Sequence, residues 1–222
     1  MNPSRLYTQN PRLVKIPAGR THLEGALSVP PTAEGLVLFA HGSGSGRHSP
    51  RNQYVAGVLQ QRGLATLLFD LLDEDEAEDR SKVFDIGLLA ERLGTAAAWA
   101  RQQAELAMLP LGFFGASTGA AAALVAAAEP ACDVKAVVSR GGRPDLAMDI
   151  LPLVRAPTLL IVGGEDEPVL SLNRQALARL QCPKELVIVP GATHLFSEPG
   201  ALEEVARLAA DWFTRYLVGA AD

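Results

Sequence analysis

Six short runs of Val, Leu, Ile and Phe recur along the chain and predict buried strands. They lie at residues 36–40, 65–69, 111–114, 134–138, 158–162 and 186–189. Runs that are apolar at consecutive positions are typical of strands covered on both faces of a sheet. Between the runs, as from residue 83 to residue 100, apolar residues follow at three- and four-residue steps, the period of an amphipathic helix. This alternation predicts a mostly parallel sheet with helices on both faces, because parallel neighbours cannot be joined by tight turns.

Turn and capping residues define the remaining predicted elements. Pro17-Ala18-Gly19 separates two short runs, at 12–16 and 21–29, and predicts an antiparallel hairpin that brings the sheet to eight strands. Helices are predicted from Ser49-Pro50 to about residue 61, over 120–128, from Pro168 onward, and over 202–217. The acidic stretch 73–79 shows no metal-ligand spacing, and we expect it to be a solvated loop.

The organisation of the chain favours one unit. Its 222 residues contain no internal repeat and no linker rich in Pro, Gly or Ser. We therefore expect a single domain over residues 1–222, with residues 1–11 forming a loosely ordered N-terminal segment. Hydrophobic residues make up 48% of the chain and charged residues 20%, which is the balance of an ordinary globular protein.

Charge and cysteine usage exclude several function classes. The net charge is -5 and no stretch is dense in Lys and Arg, which argues against nucleic-acid binding. No apolar run approaches the roughly 18 residues of a membrane span, and the N-terminus lacks the apolar core of a signal peptide, so we expect a cytoplasmic protein without a membrane partner. Cys132 and Cys182 stand far apart and are interpreted as small packing residues. Neither a metal nor another cofactor is expected, and the oligomeric state stays open.

The segment Gly115-Ala116-Ser117-Thr118-Gly119 fits the pattern G-x-S-x-G and falls between a predicted strand and a predicted helix. A sharp turn there would project the Ser117 hydroxyl above the sheet, provided that the flanking glycines leave room for it. The backbone N–H of Thr118, at the helix N-terminus, is a candidate donor to an oxyanion. The alternative interpretation is that Ser117 merely caps the helix, since serine is a favoured N-cap residue.

A candidate acid and a candidate base follow in the order that such a serine requires. Asp166 comes after the run 158–162 and His194 after the run 186–189, so both leave the carboxyl ends of predicted strands. His194 would take the proton of Ser117, and Asp166 would fix its tautomer and stabilise the imidazolium. Asp166 could instead cap the helix that Pro168 opens, and Glu165 or Glu167 could be the acid.

The loop His41-Gly42-Ser43-Gly44-Ser45-Gly46 follows the first buried run. We assign the second oxyanion donor to the Ser43 N–H and expect His41 to brace the loop by hydrogen bonding. A phosphate-binding loop is the competing interpretation, but the lysine of G-x-x-x-x-G-K-[ST] is missing and the G-x-G-x-x-G spacing fails at Arg47.

Several cationic side chains are expected near the nucleophile. Arg47, His48 and Arg140, together with Arg143, lie in the loops around it and could hold an acidic group of a substrate. Pairing with neighbours such as Asp145 is the alternative.

Together, Gly115 to Gly119, Asp166, His194 and the His41-Gly42-Ser43 loop resemble the α/β-hydrolase superfamily, specifically its small dienelactone-hydrolase-like branch. The resemblance covers nearly the whole chain. It implies the α/β-hydrolase fold and a serine-dependent acyl hydrolase that cleaves small soluble carboxylic esters or lactones through an acyl-serine intermediate. Dienelactone hydrolases proper use a cysteine where this chain has Ser117, so the resemblance does not extend to their particular substrate. The HGGG loop of lipase-like esterases is also absent, and Ser117 argues against the relatives with an aspartate nucleophile.

The connection at 140–157 is too short for a lid domain, so we expect an open site without a lid. Two further functions share these residues. One is a binding or receptor protein with little turnover on the same fold. The other is a thioesterase, peptidase or acyltransferase with the same triad, since specificity lies in the loops.

Overall fold

The computed structural model describes residues 11–219 and contains an eight-stranded sheet. The strands are β1 Arg12–Ala18, β2 Thr21–Ser28, β3 Gly35–Ala40, β4 Leu64–Phe69, β5 Leu111–Ala116, β6 Val134–Arg140, β7 Thr158–Gly163 and β8 Lys184–Val189. Their order is β1-β2-β4-β3-β5-β6-β7-β8. The hairpin β1–β2 joins β4 antiparallel, and the other neighbours are parallel, which confirms the predicted mostly parallel sheet with an antiparallel hairpin. The predicted loose segment 1–11 lies outside the described residues, except for Pro11.

Seven α-helices lie between or after the strands of the described part. They are α1 Pro50–Gln61, α2 Glu74–Glu78, α3 Arg80–Val83, α4 Ile86–Arg101, α5 Thr118–Ala128, α6 Glu167–Arg179 and α7 Ala201–Phe213, which continues into a π-helical turn at Thr214–Val218. Helices α1 and α7 pack on one face of the sheet, and α4, α5 and α6 pack on the other. No helix within residues 11–219 is long and apolar enough to cross a membrane.

The core is divided by the sheet into two clusters, as alternation along a strand requires. In β5, Phe114 packs on the α1 and α7 side, where its ring centroid lies 4.9 Å from that of Phe39, whereas Phe113 packs on the α4 and α5 side. The central strands β3, β4, β5 and β7 are buried at every residue. The prediction of full burial is wrong for β8, because it is an edge strand and leaves Ile188 40% exposed.

The acidic stretch 73–79 is a helix rather than the loop that its charge predicts. Asp73 is the N-cap of α2, and its Oδ1 accepts from the Glu76 N–H at 2.8 Å while the Asp73 N–H donates to Glu76 Oε2 at 3.3 Å. This reciprocal capping box supplies partners for amides that the first turn of a helix leaves free. Thr21 fixes the cap to β2 through a hydrogen bond of 2.8 Å to Asp73 Oδ2.

The parallel register brings the candidate residues to one edge of the sheet. Ala40 of β3 pairs with Gly115 of β5, and Ala116 pairs with Arg140 of β6. Strands β7 and β8 likewise end together, at Gly163 and Val189. The loops that follow these strands therefore meet where open α/β sheets place their ligands.

The connection between β6 and β7 contains no lid. It forms two short 3₁₀ turns, Pro144–Ala147 and Leu151–Leu153, with Ala147 and Leu151 buried in the core. The chain packs these turns against α5 and α6 instead of extending them over the serine. The predicted fold without a lid is therefore confirmed.

Candidate active site

Ser117 occupies a strained turn between β5 and α5. Its backbone has φ 51° and ψ -121°, a conformation that residues with a side chain rarely adopt. Its N–H donates to the Arg140 carbonyl oxygen at 3.2 Å, and its carbonyl oxygen accepts from the Arg143 N–H at 3.1 Å. The Ser117 side chain makes no capping hydrogen bond to the helix. The interpretation of Ser117 as a mere helix cap is therefore wrong.

The two glycines of the motif allow the turn because any larger residue would collide with backbone. A Cβ atom at Gly119 would lie 2.2 Å from the Ala40 carbonyl oxygen and 2.4 Å from that of His41. At Gly115 it would lie 2.4 Å from the Cα of Ala120. These contacts are far inside van der Waals distance, so β3, β5 and α5 approach this closely only with glycine at both positions.

His194 and Asp166 form a hydrogen-bonded pair at the same edge. His194 Nδ1 lies 2.7 Å from Asp166 Oδ2, and the Asp166 side chain is only 13% exposed. Asp166 stands at the N-cap position of α6 but its side chain does not cap the helix. Glu165 and Glu167 are exposed, and Glu167 lies 3.6 Å from Arg174. Of the three candidate acids, the structure therefore brings Asp166 to the histidine.

Two segments position the histidine relative to the serine. Gly141, with φ +52°, directly follows Arg140, whose carbonyl oxygen accepts from the Ser117 N–H. A Cβ atom on Gly141 would lie 3.5 Å from His194 Cε1, so this glycine lies between the serine turn and the histidine ring. On the other side, Thr193 Oγ1 donates to Glu198 at 2.6 Å, and this bond lowers the pKa of the Glu198 carboxyl. No hydrogen bond joins Ser117 to His194 among the described residues. Such bonds tighten in many enzymes only when substrate is bound.

The loop after β3 lies against Ser117. Gly42 is so close that a Cβ atom on it would lie 3.0 Å from the Cβ of Ser117. His41 braces the loop as predicted, because its Nδ1 lies 3.0 Å from the Gly42 carbonyl oxygen and its Nε2 accepts from the Leu71 N–H at 3.0 Å. Burial lowers the pKa of His41, which keeps the ring neutral for this pair of bonds.

The two candidate oxyanion donors are neighbours in space. The Ser43 N–H donates to Thr118 Oγ1 at 3.0 Å, and this hydrogen bond ties the loop to the first turn of α5. Thr118 is the first residue of that helix, so its own N–H has no partner within the helix. The Ser43 amide is therefore bonded inside the protein, and its role as an oxyanion donor stays a prediction.

The cationic candidates have different surroundings. Arg47 is ion-paired with Glu24 and Asp70, and its N–H donates to Asp70 Oδ1 at 2.7 Å. Arg143 makes two bonds of 2.8 Å to Asp145, which raise its pKa. Pairing with a neighbouring acid, the alternative to substrate binding, therefore describes both arginines.

Among the described residues, His48 and Arg140 make no such pair. His48 is exposed, whereas Arg140 is buried and has no ion pair among the described residues. Desolvation, followed by the nearby charge of Arg51, lowers the pKa of Arg140 to about 10. Arg51 was missed at the sequence level, although a basic residue in the first turn of a helix is a recognisable departure from the preference for acids there.

A cavity of about 610 Å³ lies beside the His41 loop rather than around the serine. Gly42 and Ser43 form part of its wall, as do Asp70 and Asp73, but Ser117 does not. Within the described residues no group of three or more His, Cys, Asp or Glu could hold a metal ion. Ser117, Asp166 and His194 therefore lie outside this cavity.

The two cysteines are free and partly buried, and both pack against the core on the α4 side. Burial raises the pKa of each thiol. Their predicted role as packing residues is confirmed.

Comparison with known proteins agrees with this geometry. The model of the dienelactone hydrolase family matches residues 61–217. A dienelactone hydrolase structure from Anabaena variabilis is 58% identical with a TM-score of 0.90, and the match covers 94% of this chain and 100% of that chain. An α/β serine hydrolase without lid from Xanthomonas campestris is 21% identical with a TM-score of 0.77, over 95% of this chain and 97% of that one, and shows the fold alone.

Two relatives from strains of Mycobacterium tuberculosis are 59% identical over 206 residues. The match covers 93% of this chain and 46% of each relative, so the chain spans about half the length of these proteins. Their name assigns them provisionally to the phosphoribosyl transferases.

The sheet order and the edge that gathers Ser117, Asp166 and His194 define an α/β-hydrolase. Within that class the chain belongs to the dienelactone hydrolase family, to which the Anabaena structure and the family model both assign it. The resemblance drawn from the sequence motifs is thereby confirmed.

Replacing Gly119 with alanine should disrupt the turn that holds Ser117. The added methyl group would meet the carbonyl oxygens of Ala40 and His41, and we expect the free energy of unfolding to fall by about 1–3 kcal/mol or more. Gly94→Ala is the matched control, since its nearest contact outside the helix would be an ordinary 3.6 Å to Cys132 Sγ and it should stabilise α4 by up to about 1 kcal/mol. Urea unfolding measures the free energy of unfolding of both variants. An equal change in both would contradict the interpretation that Gly119 is required by the close backbone contacts.

Stability should depend on pH through His41. Its pKa in the folded protein lies below the ordinary 6.5, so the unfolded chain binds more protons as the pH falls through 6.5. The free energy of unfolding should therefore decrease with falling pH, by at most about 1.4 kcal/mol per pH unit from this one group. Urea unfolding between pH 7.5 and pH 5.5 (roughly one unit to either side of 6.5) should show a shallower dependence in His41→Gln. An unchanged dependence in that variant would exclude His41 as the source.

Proposed function

We propose that this protein is a serine hydrolase that cleaves small soluble carboxylic esters or lactones through an acyl-serine intermediate. The observation that supports this most directly is the 2.7 Å contact between His194 and Asp166 at the sheet edge where Ser117 stands on its strained turn. Membership of the dienelactone hydrolase family is consistent with hydrolysis.

The hydrogen bond to Asp166 assigns a function to each nitrogen of His194. If Nδ1 carries the proton that Asp166 accepts, Nε2 has a free lone pair and can act as a base. His194 takes the Ser117 proton as Oγ attacks the carbonyl carbon, and then delivers it to the leaving alcohol as the acyl-serine forms. Water then attacks the acyl carbon while His194 takes its proton, and His194 returns that proton to the departing Ser117 Oγ as the carboxylic acid is released. Asp166 stabilises the imidazolium without itself being protonated.

The tetrahedral oxygen requires donors at the start of α5. In our proposal the Thr118 N–H is one of them, since its position in the helix leaves it without a helical acceptor. The Ser43 N–H is the second, and it exchanges Thr118 Oγ1 for the substrate oxygen as the charge develops. The exchange replaces a neutral acceptor by an anionic one, which forms the stronger bond.

The size of the substrate follows from what covers the site. The short turns between β6 and β7 provide no lid that could enclose a long acyl chain. We infer that the acyl group is short and that part of the substrate stays in solvent.

A binding protein with weak turnover is the second candidate, and the absence of a Ser117–His194 hydrogen bond among the described residues is what favours it. Thioester or peptide cleavage, or transfer to another acceptor, would use the same groups. The phosphoribosyl transferase name belongs to relatives of which more than half lies outside the match, and it supports no reaction at Ser117.

Activity and labelling should both depend on Ser117. The wild type should hydrolyse p-nitrophenyl butyrate and gain the mass of one fluorophosphonate adduct, and Ser117→Ala should do neither.

Asp166→Asn should lower kcat by about 10⁴-fold, because the wrong tautomer of His194 is then favoured. Glu165→Gln is the matched control and should keep the wild-type kcat, since this exposed acid does not reach the histidine. A wild type that neither turns over nor is labelled would favour the binding protein.

Chain length should separate an open site from a lipase-like one. We expect kcat/KM to be at least about tenfold higher for the C4 ester than for the C16 ester, because a difference of that size needs only about 1.4 kcal/mol of lost contact. Both p-nitrophenyl esters are measured below their micelle concentrations. Equal or higher values for C16 would contradict a short acyl group.

A further inference from the structure

Asn173 of α6 connects two segments that carry parts of the candidate active site. Its side chain is buried, and its Nδ2 donates to the Gly142 carbonyl oxygen at 3.0 Å and to the Val169 carbonyl oxygen at 2.8 Å. Val169 lies in the first turn of α6, whereas Gly142 lies in the loop that follows β6. One amide group therefore ties the start of this helix to that loop.

The loop after β6 holds the turn of Ser117 by two backbone contacts. The Arg140 carbonyl oxygen accepts from the Ser117 N–H at 3.2 Å, and the Arg143 N–H donates to the Ser117 carbonyl oxygen at 3.1 Å. Gly142 lies between these two contacts in the chain. A displacement of its peptide group would therefore be transmitted to the serine.

The same loop and the same helix also support the histidine and the acid. A Cβ atom on Gly141 would lie 3.2 Å from the His194 carbonyl oxygen and 3.5 Å from its Cε1. Asp166 is the N-cap residue of α6, so its backbone moves with the helix. Asn173 therefore links the support of Asp166 to the support of Ser117 and His194.

Packing confines the Gly142 peptide on its other side. A Cβ atom on Gly142 would lie 2.0 Å from Ser139 Oγ in β6 and 2.6 Å from the Cβ of Ala120 in α5. Among the described residues, Asn173 is the only donor to the Gly142 carbonyl oxygen. The position of this peptide group is therefore set by close contact with β6 and α5 and by a single hydrogen bond from α6.

The buried amide of Asn173 is not explained by stability alone. Its Oδ1 is buried without a hydrogen-bond partner among the described residues, and an unpartnered buried acceptor destabilises the folded state. An apolar side chain of similar volume would avoid this destabilisation but would leave the Gly142 carbonyl oxygen without its donor. An amide bridges the two carbonyl oxygens because its nitrogen carries two N–H groups.

We propose that Asn173 is a positioning residue, which holds the Gly142 peptide against α6 and thereby sets the distance between Ser117 and the pair of Asp166 and His194. Asn173 acts through these groups, so its loss should lower kcat and leave KM nearly unchanged. This inference rests on the proposed function, because the distance matters only if His194 takes the Ser117 proton.

The first experiment removes the bridge by a small change, Asn173→Ser. A serine hydroxyl can still donate to the Val169 carbonyl oxygen four residues back in the helix, but it is too short to reach Gly142. We expect kcat for p-nitrophenyl butyrate to fall by about 10–100-fold, with KM within about twofold of the wild type, because small misplacements of reacting groups cost rates of this size. Asn173→Leu removes both side-chain hydrogen bonds at similar volume and should lower kcat by at least as much.

Thr158→Val is the matched control. Thr158 is also buried, and its Oγ1 donates to the Ala156 carbonyl oxygen at 2.9 Å, but it begins β7 and so lies away from the carboxyl ends of the strands. The control and both Asn173 variants should lower Tm by about 2–10 °C, and the control should keep the wild-type kcat. An equal fall of kcat in Thr158→Val and Asn173→Ser would make Asn173 a structural residue and overturn the proposal.

The second experiment follows the bridge without turnover, by native-state hydrogen exchange. In Asn173→Ser the Arg143 N–H, which donates to Ser117, should exchange about tenfold faster or more than in the wild type. The Val137 N–H, which donates to the Pro157 carbonyl oxygen at 2.9 Å near the other end of β6, reports the general loss of stability and should change less. Equal changes at both amides would contradict a bridge that acts on the serine turn.

The kinetic outcomes separate the two proposals. Hydrolysis that depends on Ser117, with the wild-type kcat in both Asn173→Ser and Asn173→Leu, would keep the hydrolase and overturn the role of Asn173. A wild type that cleaves no ester and is not labelled would reject the hydrolase and, with it, the positioning role.

Discussion

The close crossing of backbone at the start of α5 is the constraint on which the site depends. Ser117 can adopt its left-handed conformation only because Gly115 and Gly119 let three segments of main chain meet at distances that no Cβ atom would allow. The carbonyl oxygens of Ala40 and His41 lie against Gly119, so the same crossing also fixes the loop that carries Ser43. Ser117 and the loop that carries Ser43 are therefore positioned by the same crossing of backbone.

The histidine is positioned by separate means. Its loop follows an edge strand that is partly exposed, and the loop is held by local hydrogen bonds between Thr193 and Glu198 and by the buried ring of Phe196. Such contacts are weaker than the central crossing of the sheet. Ser117 is therefore placed by the central crossing of backbone, whereas His194 is placed by local contacts at the edge of the sheet.

Much of the fold could be predicted because the spacing of apolar residues along the chain follows the periods of strands and helices. Buried runs, helical spacing and the turn at Pro17-Ala18-Gly19 predict eight strands in a mostly parallel sheet with an antiparallel hairpin, as the structure has them. The errors fell where a hydrogen-bonded cap or the position of a strand in the sheet outweighed composition. The charge of residues 73–79 predicts a solvated loop, but the reciprocal hydrogen bonds between Asp73 and Glu76 cap a helix there. The apolar run of β8 predicts full burial, but this strand lies at the edge of the sheet and has a neighbour on one side only.

The sequence by itself determined the class of site, because G-x-S-x-G after a strand, and an acid and a histidine after later strands, can be recognised from order alone. Only the tertiary structure decided which acid meets His194 and which arginines are neutralised. Glu165, Asp166 and Glu167 each carry a carboxylate, and only the folded backbone decides that the Asp166 carboxylate is the one directed at His194. Likewise Arg47 and Arg140 differ by whether a distant acid folds against them, and residues far apart in the chain become partners only through packing.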